Sequence, residues 1–273
     1  FAQGGWCDAL DFSPSGKKLA IRKQHTFVHQ DLYLVDRESG EVELITTHEG
    51  NAEYGAPAWL PDESGFFFRT NEGRDRFGVS FYDARKKTAT YILTTHWDIS
   101  QISLSRDGAN LAITSNEDGY SALVVYDAKT MRPIAEQSFP RGIINRARWS
   151  CDGRHLAFVF ESATQSKNVW MWSKNENRHW LLTHLPSRVP ERIFVEPELI
   201  HYASFDDLHV PAFLFLPQKR TDKVPVIINI HGGPEEQYRP VFDALTQYFT
   251  YRGYAVVAPI VRGSAGYGKK YLA

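Results

Sequence analysis

Cysteine is scarce in this 273-residue chain: Cys7 and Cys151 are the two, and their separation fits no metal-ligand spacing. Unpaired thiols in a reducing compartment are therefore expected, which favours the cytoplasm, with the periplasm as the alternative. Long apolar runs are missing too, and none approaches the roughly eighteen residues of a membrane span. Charge of one sign is missing: 31 Lys and Arg face 32 Asp and Glu, a formal net charge of -1. Basic residues cluster no further than pairs such as Lys86-Lys87, which argues against a nucleic-acid partner. The opening residues, Phe1-Ala2-Gln3-Gly4-Gly5, carry neither the basic segment nor the apolar stretch of a signal peptide. Finally, the pentapeptide G-x-S-x-G, the elbow that presents the nucleophilic serine in one large hydrolase class, occurs nowhere.

Hydrophobic residues make up 42% of the chain and charged residues 23%, ordinary values for a globular protein long enough for two domains. Aromatic content is high at 14%, and the Trp and Tyr residues fall mostly in short β-like runs. The first two thirds repeats itself. Asp11 to Ala20, Ala58 to Phe67, Ile102 to Ala112 and Ala147 to Ala157 each read as a strand, a turn closed by Gly, and a second apolar strand. Gly16, Gly65, Gly108 and Gly153 stand 49, 43 and 45 residues apart, and each is expected to supply the positive φ of its turn.

A second landmark keeps the same time. Leu32-Tyr33-Leu34-Val35-Asp36, Val79-Ser80-Phe81-Tyr82-Asp83, Leu123-Val124-Val125-Tyr126-Asp127 and Val169-Trp170-Met171-Trp172-Ser173 end 47, 44 and 46 residues apart. Periods of about 40 to 50 residues with four strands each predict propeller blades, whereas helical solenoids would need a 3.6-residue periodicity. The chain opens almost directly on a blade strand, Trp6 to Phe12, so further blades upstream are expected. Thr47-His48, Thr95-His96 and Thr183-His184 form a weaker mark. One His per blade implies equivalent structural places rather than convergence on an ion, so no metal is expected. The charged stretch Asn71-Glu72-Gly73-Arg74-Asp75-Arg76 reads as a solvated blade loop rather than a binding element.

Periodicity ends near Pro186-Ser187-Arg188-Val189-Pro190, a candidate linker. Glu198 to Ala203 and Leu208 to Leu216 then predict a hairpin turning at Phe205-Asp206-Asp207. Val226-Ile227-Ile228-Asn229-Ile230 is apolar on both faces, as a strand inside a parallel sheet must be. It runs into His231-Gly232-Gly233-Pro234. Pro240, then Phe242, Leu245 and Phe249, mark a helix that stops at Gly253, and Ala255 to Val261 forms a second buried strand. Strand, helix and strand make the parallel crossover of an α/β domain. The Gly-rich loop after it, Arg262-Gly263-Ser264-Ala265-Gly266-Tyr267-Gly268, does not spell G-x-G-x-x-G, so no dinucleotide or other cofactor is expected. Ser264 lacks the elbow spacing and reads as a loop residue rather than a nucleophile.

A propeller followed by a strand, His-Gly-Gly-Pro and Arg-Gly-Ser-x-Gly-Tyr-Gly resembles the prolyl oligopeptidase family of serine peptidases, closest to the acylaminoacyl-peptidase and dipeptidyl-peptidase-like branch. The resemblance covers essentially the whole chain; Ile260 departs from it, where relatives often carry Asn. It implies a partial β-propeller of about four blades over residues 1–187, followed by the N-terminal part of an α/β-hydrolase domain over 188–273. It also implies Ser-Asp-His hydrolysis of short or N-acylated peptides in a longer parent. Residue by residue, Gly233 is implied as an oxyanion-hole N–H, with Gly232 making room and His231 shaping the turn. Arg262, Gly263 and Gly266 are implied as the rim that braces it. With no elbow serine, and with Asp and His following Ser in chain order, the triad is expected to be absent and this chain inactive. A non-catalytic propeller scaffold and a propeller-fused esterase are the alternatives, and exo- or endopeptidase action and homo-oligomerisation stay open.

Overall fold

The structure, a computed structural model, describes residues 5–137, 139–185, 189–219, 223–233 and 235–273. The proposed linker residues Pro186, Ser187 and Arg188, and Pro234 of the His-Gly-Gly-Pro turn, lie outside the described residues.

Four antiparallel meanders follow one another. The first holds β1 (Trp6–Phe12), β2 (Lys18–Gln24), β3 (Gln30–Asp36) and β4 (Val42–Leu44). The second holds β5 (Ala58–Trp59), β6 (Gly65–Thr70), β7 (Gly78–Asp83) and β8 (Thr88–Leu93). The third holds β9 (Asp98–Leu104), β10 (Asn110–Glu117), β11 (Tyr120–Asp127) and β12 (Pro133–Gln137). The fourth holds β13 (Ile143–Trp149), β14 (His155–Glu161), β15 (Asn168–Ser173) and β16 (Arg178–Leu181). These are blades, and their apolar faces meet those of their neighbours. Leu32 and Leu34 pack on Phe66, Phe68 and Tyr82; Phe67 and Val79 pack on Leu111 and Ile113; Leu123 and Val125 pack on Leu156, Phe158 and Trp172. Period-2 alternation alone could not build this core, because both faces of an inner blade are covered.

The second landmark has a physical cause. Asp36 Oδ1 accepts from the N–H groups of Glu38 and Ser39, Asp83 Oδ1 from Arg85 and Lys86, and Asp127 Oδ1 from Lys129 and Thr130. Each carboxylate closes the turn between its blade's third and fourth strands, and these hydrogen bonds hold all three below the ordinary carboxylate range. Ser173 fills the position in the last blade, accepting from Glu176 N–H.

One turn glycine departs from expectation. Gly16, Gly108 and Gly153 have φ of 71°, 73° and 66°, but in the second blade Glu63 takes the positive φ, 56°, and its N–H closes the turn on the Leu60 carbonyl. Gly65 is instead the first residue of β6, where a Cβ would lie 2.2 Å from the Tyr82 carbonyl. With Glu63 in its place the turn spacing becomes 47, 45 and 45 residues.

Past a short 3-10 turn, Glu191–Ile193, the fifth sheet has the order β17 (Glu198–Ala203), β18 (His209–Phe215), β20 (Ala255–Pro259), β19 (Val226–Ile228). β18 pairs antiparallel with both β17 and β20, while β19 and β20 are parallel with α1 (Ala244–Tyr251) between them in sequence. The architecture is a partial propeller followed by the opening of an α/β-hydrolase sheet. β19 lies at the edge of this sheet: Ile227 packs on the core, but Val226 and Ile228 on its other face are 57% and 66% exposed, so only one of its two apolar faces is covered. α1 begins at Ala244, later than Pro240 and Phe242 suggest, because Asp243 caps it by accepting from Leu245 and Thr246 N–H. Its buried side is polar, with Gln247 donating to the Ala163 and Val195 carbonyls while Leu245 faces outward. The chain closes with α2 (Lys269–Leu272). Among the described residues no helix is long and apolar enough to cross a membrane.

Candidate active-site turn

The His231-Gly232-Gly233 turn leaves the end of β19 and enters a cavity of about 370 Å³ between the blades and the fifth sheet. Gly233 lines this cavity, together with Glu53, Asp75 and Asp98 from the blades and Glu236 and Leu272 from the other side. Gly233 has φ of 64°, and its carbonyl accepts from Glu236 N–H at 2.6 Å, closing a tight turn. The positive φ favours glycine here, and the Glu236 side chain, 3.2 Å from where a Cβ would sit, would have to shift to admit one. Gly232 borders open space, with nothing within 4 Å of a Cβ position. The N–H groups of both glycines have no hydrogen-bond partner among the described residues.

His231 is held from behind. Its Nε2 lies 2.8 Å from Ser264 Oγ, and its Nδ1 lies 3.2 Å from the Gly232 carbonyl. Ser264 is fully buried and donates its hydroxyl to the Val261 carbonyl at 2.6 Å. Sequence reasoning dismissed Ser264 as a nucleophile and assigned it nothing further; the structure joins it to the turn.

The implied rim residues separate. Arg262 turns away to the β17–β18 hairpin, pairing with Asp206 at 2.5 Å and lying over the Phe205 ring. Gly263, with φ of 91°, donates its N–H to the Tyr271 carbonyl. Gly266, with φ of 90°, leaves no room for a side chain: Gln237 Oε1 and Asn116 Nδ2 lie 2.4 and 2.7 Å from a Cβ position, and its carbonyl accepts from Arg76 Nη1. Gly263 and Gly266 thus shape the loop around Ser264, while among the described residues Arg262 makes its hydrogen bond, ion pair and ring contact with the hairpin and none with the His231 turn.

The blades do more than cover. The stretch expected as a solvated loop reaches the fifth sheet's loops: Asp75 accepts from the N–H groups of Lys269 and Lys270, and Arg76 packs over Trp97 and Tyr267. The β10–β11 hairpin does the same. Asn116 donates to Gln237 Oε1, Asp118 accepts from the Tyr267 hydroxyl, and Arg239 donates to the Gly119 carbonyl and Ser121 Oγ. A Glu-Asp-Gly turn is legible in sequence as a tight hairpin, but nothing in it says what the hairpin touches.

Burial raises the Asp98 carboxyl above its ordinary range, against the pull of the Phe77 N–H and Arg76; burial likewise raises Glu53, against Asn71 and Arg69. Burial drives the Tyr267 hydroxyl up as well, with the Asp118 charge adding to it. Among the described residues no group of three or more His, Cys, Asp or Glu side chains is arranged to hold a metal. The turn offers open N–H donors for an anionic oxygen. It offers no attacking group, since the nearby hydroxyl is buried and its proton is committed.

No family model matches the chain. A probable dipeptidyl-peptidase 5 of Aspergillus clavatus is 24% identical over 296 residues, covering 98% of this chain and 40% of its own length. The uncharacterized peptidase YuxL of Bacillus subtilis is 37% identical over 86 residues, 31% of this chain and 13% of its own. A solved structure from work on two prolyl endopeptidases superposes with a TM-score of 0.84 at 20% identity, covering 96% of this chain and 39% of that one. The chain therefore spans less than half the length of the curated relatives it matches.

Proposed function

We propose that the chain belongs to the prolyl oligopeptidase family and is the propeller and site-forming segment of a serine peptidase, a reading supported by its likeness to dipeptidyl-peptidase 5 and YuxL and by the shared fold. In the longer enzyme, short or N-acylated peptides are cleaved by Ser-Asp-His acyl-enzyme chemistry. Residues 1–187 form the propeller part and 188–273 the start of the hydrolase domain. Gly233 N–H is one donor of the oxyanion hole, Gly232 leaves space for the reacting carbonyl, and His231 sets the turn. Gly263 and Gly266 brace the loop around Ser264, while Arg262 belongs to the rim through its pair with Asp206 of the adjoining β17–β18 hairpin.

The observation that carries this reading is the Gly233 N–H, unpartnered among the described residues, on a strand-end turn lining a cavity walled on its far side by propeller residues. A donor held by backbone geometry alone costs no reorganisation when charge develops on a substrate oxygen. A second donor, the N–H following the nucleophile, belongs to the elbow that this sequence lacks. The cavity walls restrict the substrate to a peptide end or a short chain. Exposed free thiols at Cys7 and Cys151 favour a reducing, cytoplasmic setting.

Fluorophosphonate labelling tests the reading. The 273-residue chain takes up no label and hydrolyses no peptide, whereas the longer gene product is labelled once and cleaves aminoacyl amides. Labelling of the 273-residue chain, or a longer product that turns over only esters, contradicts it.

A further inference from the structure

The Ser264–His231 pair has a consequence for the direction of the Gly233 N–H. A serine hydroxyl has one proton, and that of Ser264 goes to the Val261 carbonyl. Only lone pairs remain for His231 Nε2, 2.8 Å away, so Nε2 must carry the ring hydrogen and donate it. A neutral ring is thereby held as the Nε2–H tautomer, with Nδ1 bare and facing the Gly232 carbonyl 3.2 Å away. In that neutral ring two acceptors face each other at hydrogen-bond distance, and only a proton on Nδ1 would turn the contact into a hydrogen bond. The Gly232 carbonyl and the Gly233 N–H belong to one planar peptide unit, so whatever pulls the carbonyl also turns the N–H.

We propose that Ser264 is a positioning residue for the oxyanion turn: by holding His231 as the Nε2–H tautomer, it keeps Nδ1 from drawing the Gly232 carbonyl and leaves the Gly233 N–H for the substrate oxygen. The inference rests on the reading of Gly233 as an oxyanion donor. The assignment rests on the complete burial of Ser264, the donation of its hydroxyl to the Val261 carbonyl and its 2.8 Å approach to His231 Nε2. Once the hydroxyl is removed, the ring is free to take the Nδ1–H tautomer, bond the Gly232 carbonyl and rotate the 232–233 peptide.

Long-range nitrogen–proton NMR on the 15N-labelled 273-residue chain at alkaline pH reads each ring nitrogen directly. His231 is expected as Nε2–H in the wild type and in Ser264→Thr, which keeps the hydroxyl. In Ser264→Ala, Nδ1–H is expected to appear and the Gly233 amide resonance to move. An Nδ1–H ring in the wild type overturns the proposal, and this measurement needs no variant to fold. An unchanged tautomer in Ser264→Ala overturns it as well. In the longer enzyme, Ser264→Ala is expected to lower kcat by about 10- to 100-fold, less than the loss of a whole oxyanion donor, with KM nearly unchanged and activity restored in Ser264→Thr. A fall in kcat without a tautomer change overturns the role of Ser264 and leaves the oxyanion reading standing. A tautomer change with kcat intact overturns the oxyanion reading of Gly233, and with it the positioning role.

Discussion

Asp98 and Glu53 face the cavity from the propeller side, and burial raises both carboxyls above their ordinary values of 3.8 and 4.5. The folded chain therefore keeps protons at a pH where the unfolded chain has released them. The stability linked to these protons is complete below 3.8 and 4.5 and is lost as pH rises through the raised folded values. Asp98→Asn removes the titration at one site while leaving an oxygen to accept from Phe77 N–H. Urea midpoints of the wild type are expected to fall relative to Asp98→Asn as pH rises above 3.8; parallel curves contradict the assignment. The sequence displayed these carboxylates but not their burial. Asp98 opens an apolar strand as any turn residue might, and its environment comes from Arg76 of the preceding blade and from the Gly268 loop, 170 positions on.

At the scale of elements, repetition was the most legible feature, because blade strands and turns obey local rules at a fixed period. The four meanders, the Asp-closed turns of three of them and the parallel crossover all follow from patterns of a few residues. What local rules missed was the difference between like-looking glycines. Gly16→Ala meets only the cost of positive φ, about 1–2 kcal/mol, with its nearest neighbour at 4.0 Å. Gly65→Ala drives a Cβ into the Tyr82 carbonyl and the Phe81 ring, at 2.2 and 2.4 Å, and can relax only by breaking the β6–β7 register. Chemical denaturation is expected to show the larger loss for Gly65→Ala, and equal or reversed losses contradict this division of roles. Of the apolar residues that mark helix α1, Phe249 packs into the core but Leu245 faces out, and the buried place beside it goes to Gln247, which satisfies two carbonyls that no apolar residue could.

Across the whole molecule, the propeller and the fifth sheet are joined by buried polar links rather than by apolar packing alone. Arg239 is the clearest: burial pulls its guanidinium down to about 10, yet it donates to the Gly119 carbonyl and Ser121 Oγ. Arg239→Ala leaves the Gly119 carbonyl unpaired and takes from Ser121 Oγ one of its two donors, Ile144 N–H remaining, and is expected to cost about 2–3 kcal/mol in urea unfolding. Arg262→Ala, which breaks an exposed pair, should change stability little; the opposite order contradicts the placement of the links. These contacts were illegible in the sequence because each joins residues more than a hundred positions apart with no periodic signature. The His231–Ser264 pair, 33 positions apart, has no periodic signature either, although the motif that contains His231 is plain. The central claim is that Gly233 donates to the substrate oxygen. A crystal structure of the longer enzyme phosphonylated at its nucleophile tests it most directly. The phosphoryl oxygen is expected about 3 Å from the Gly233 nitrogen, in line with its N–H. A phosphoryl oxygen bound by other donors, with the Gly233 N–H turned aside, contradicts it.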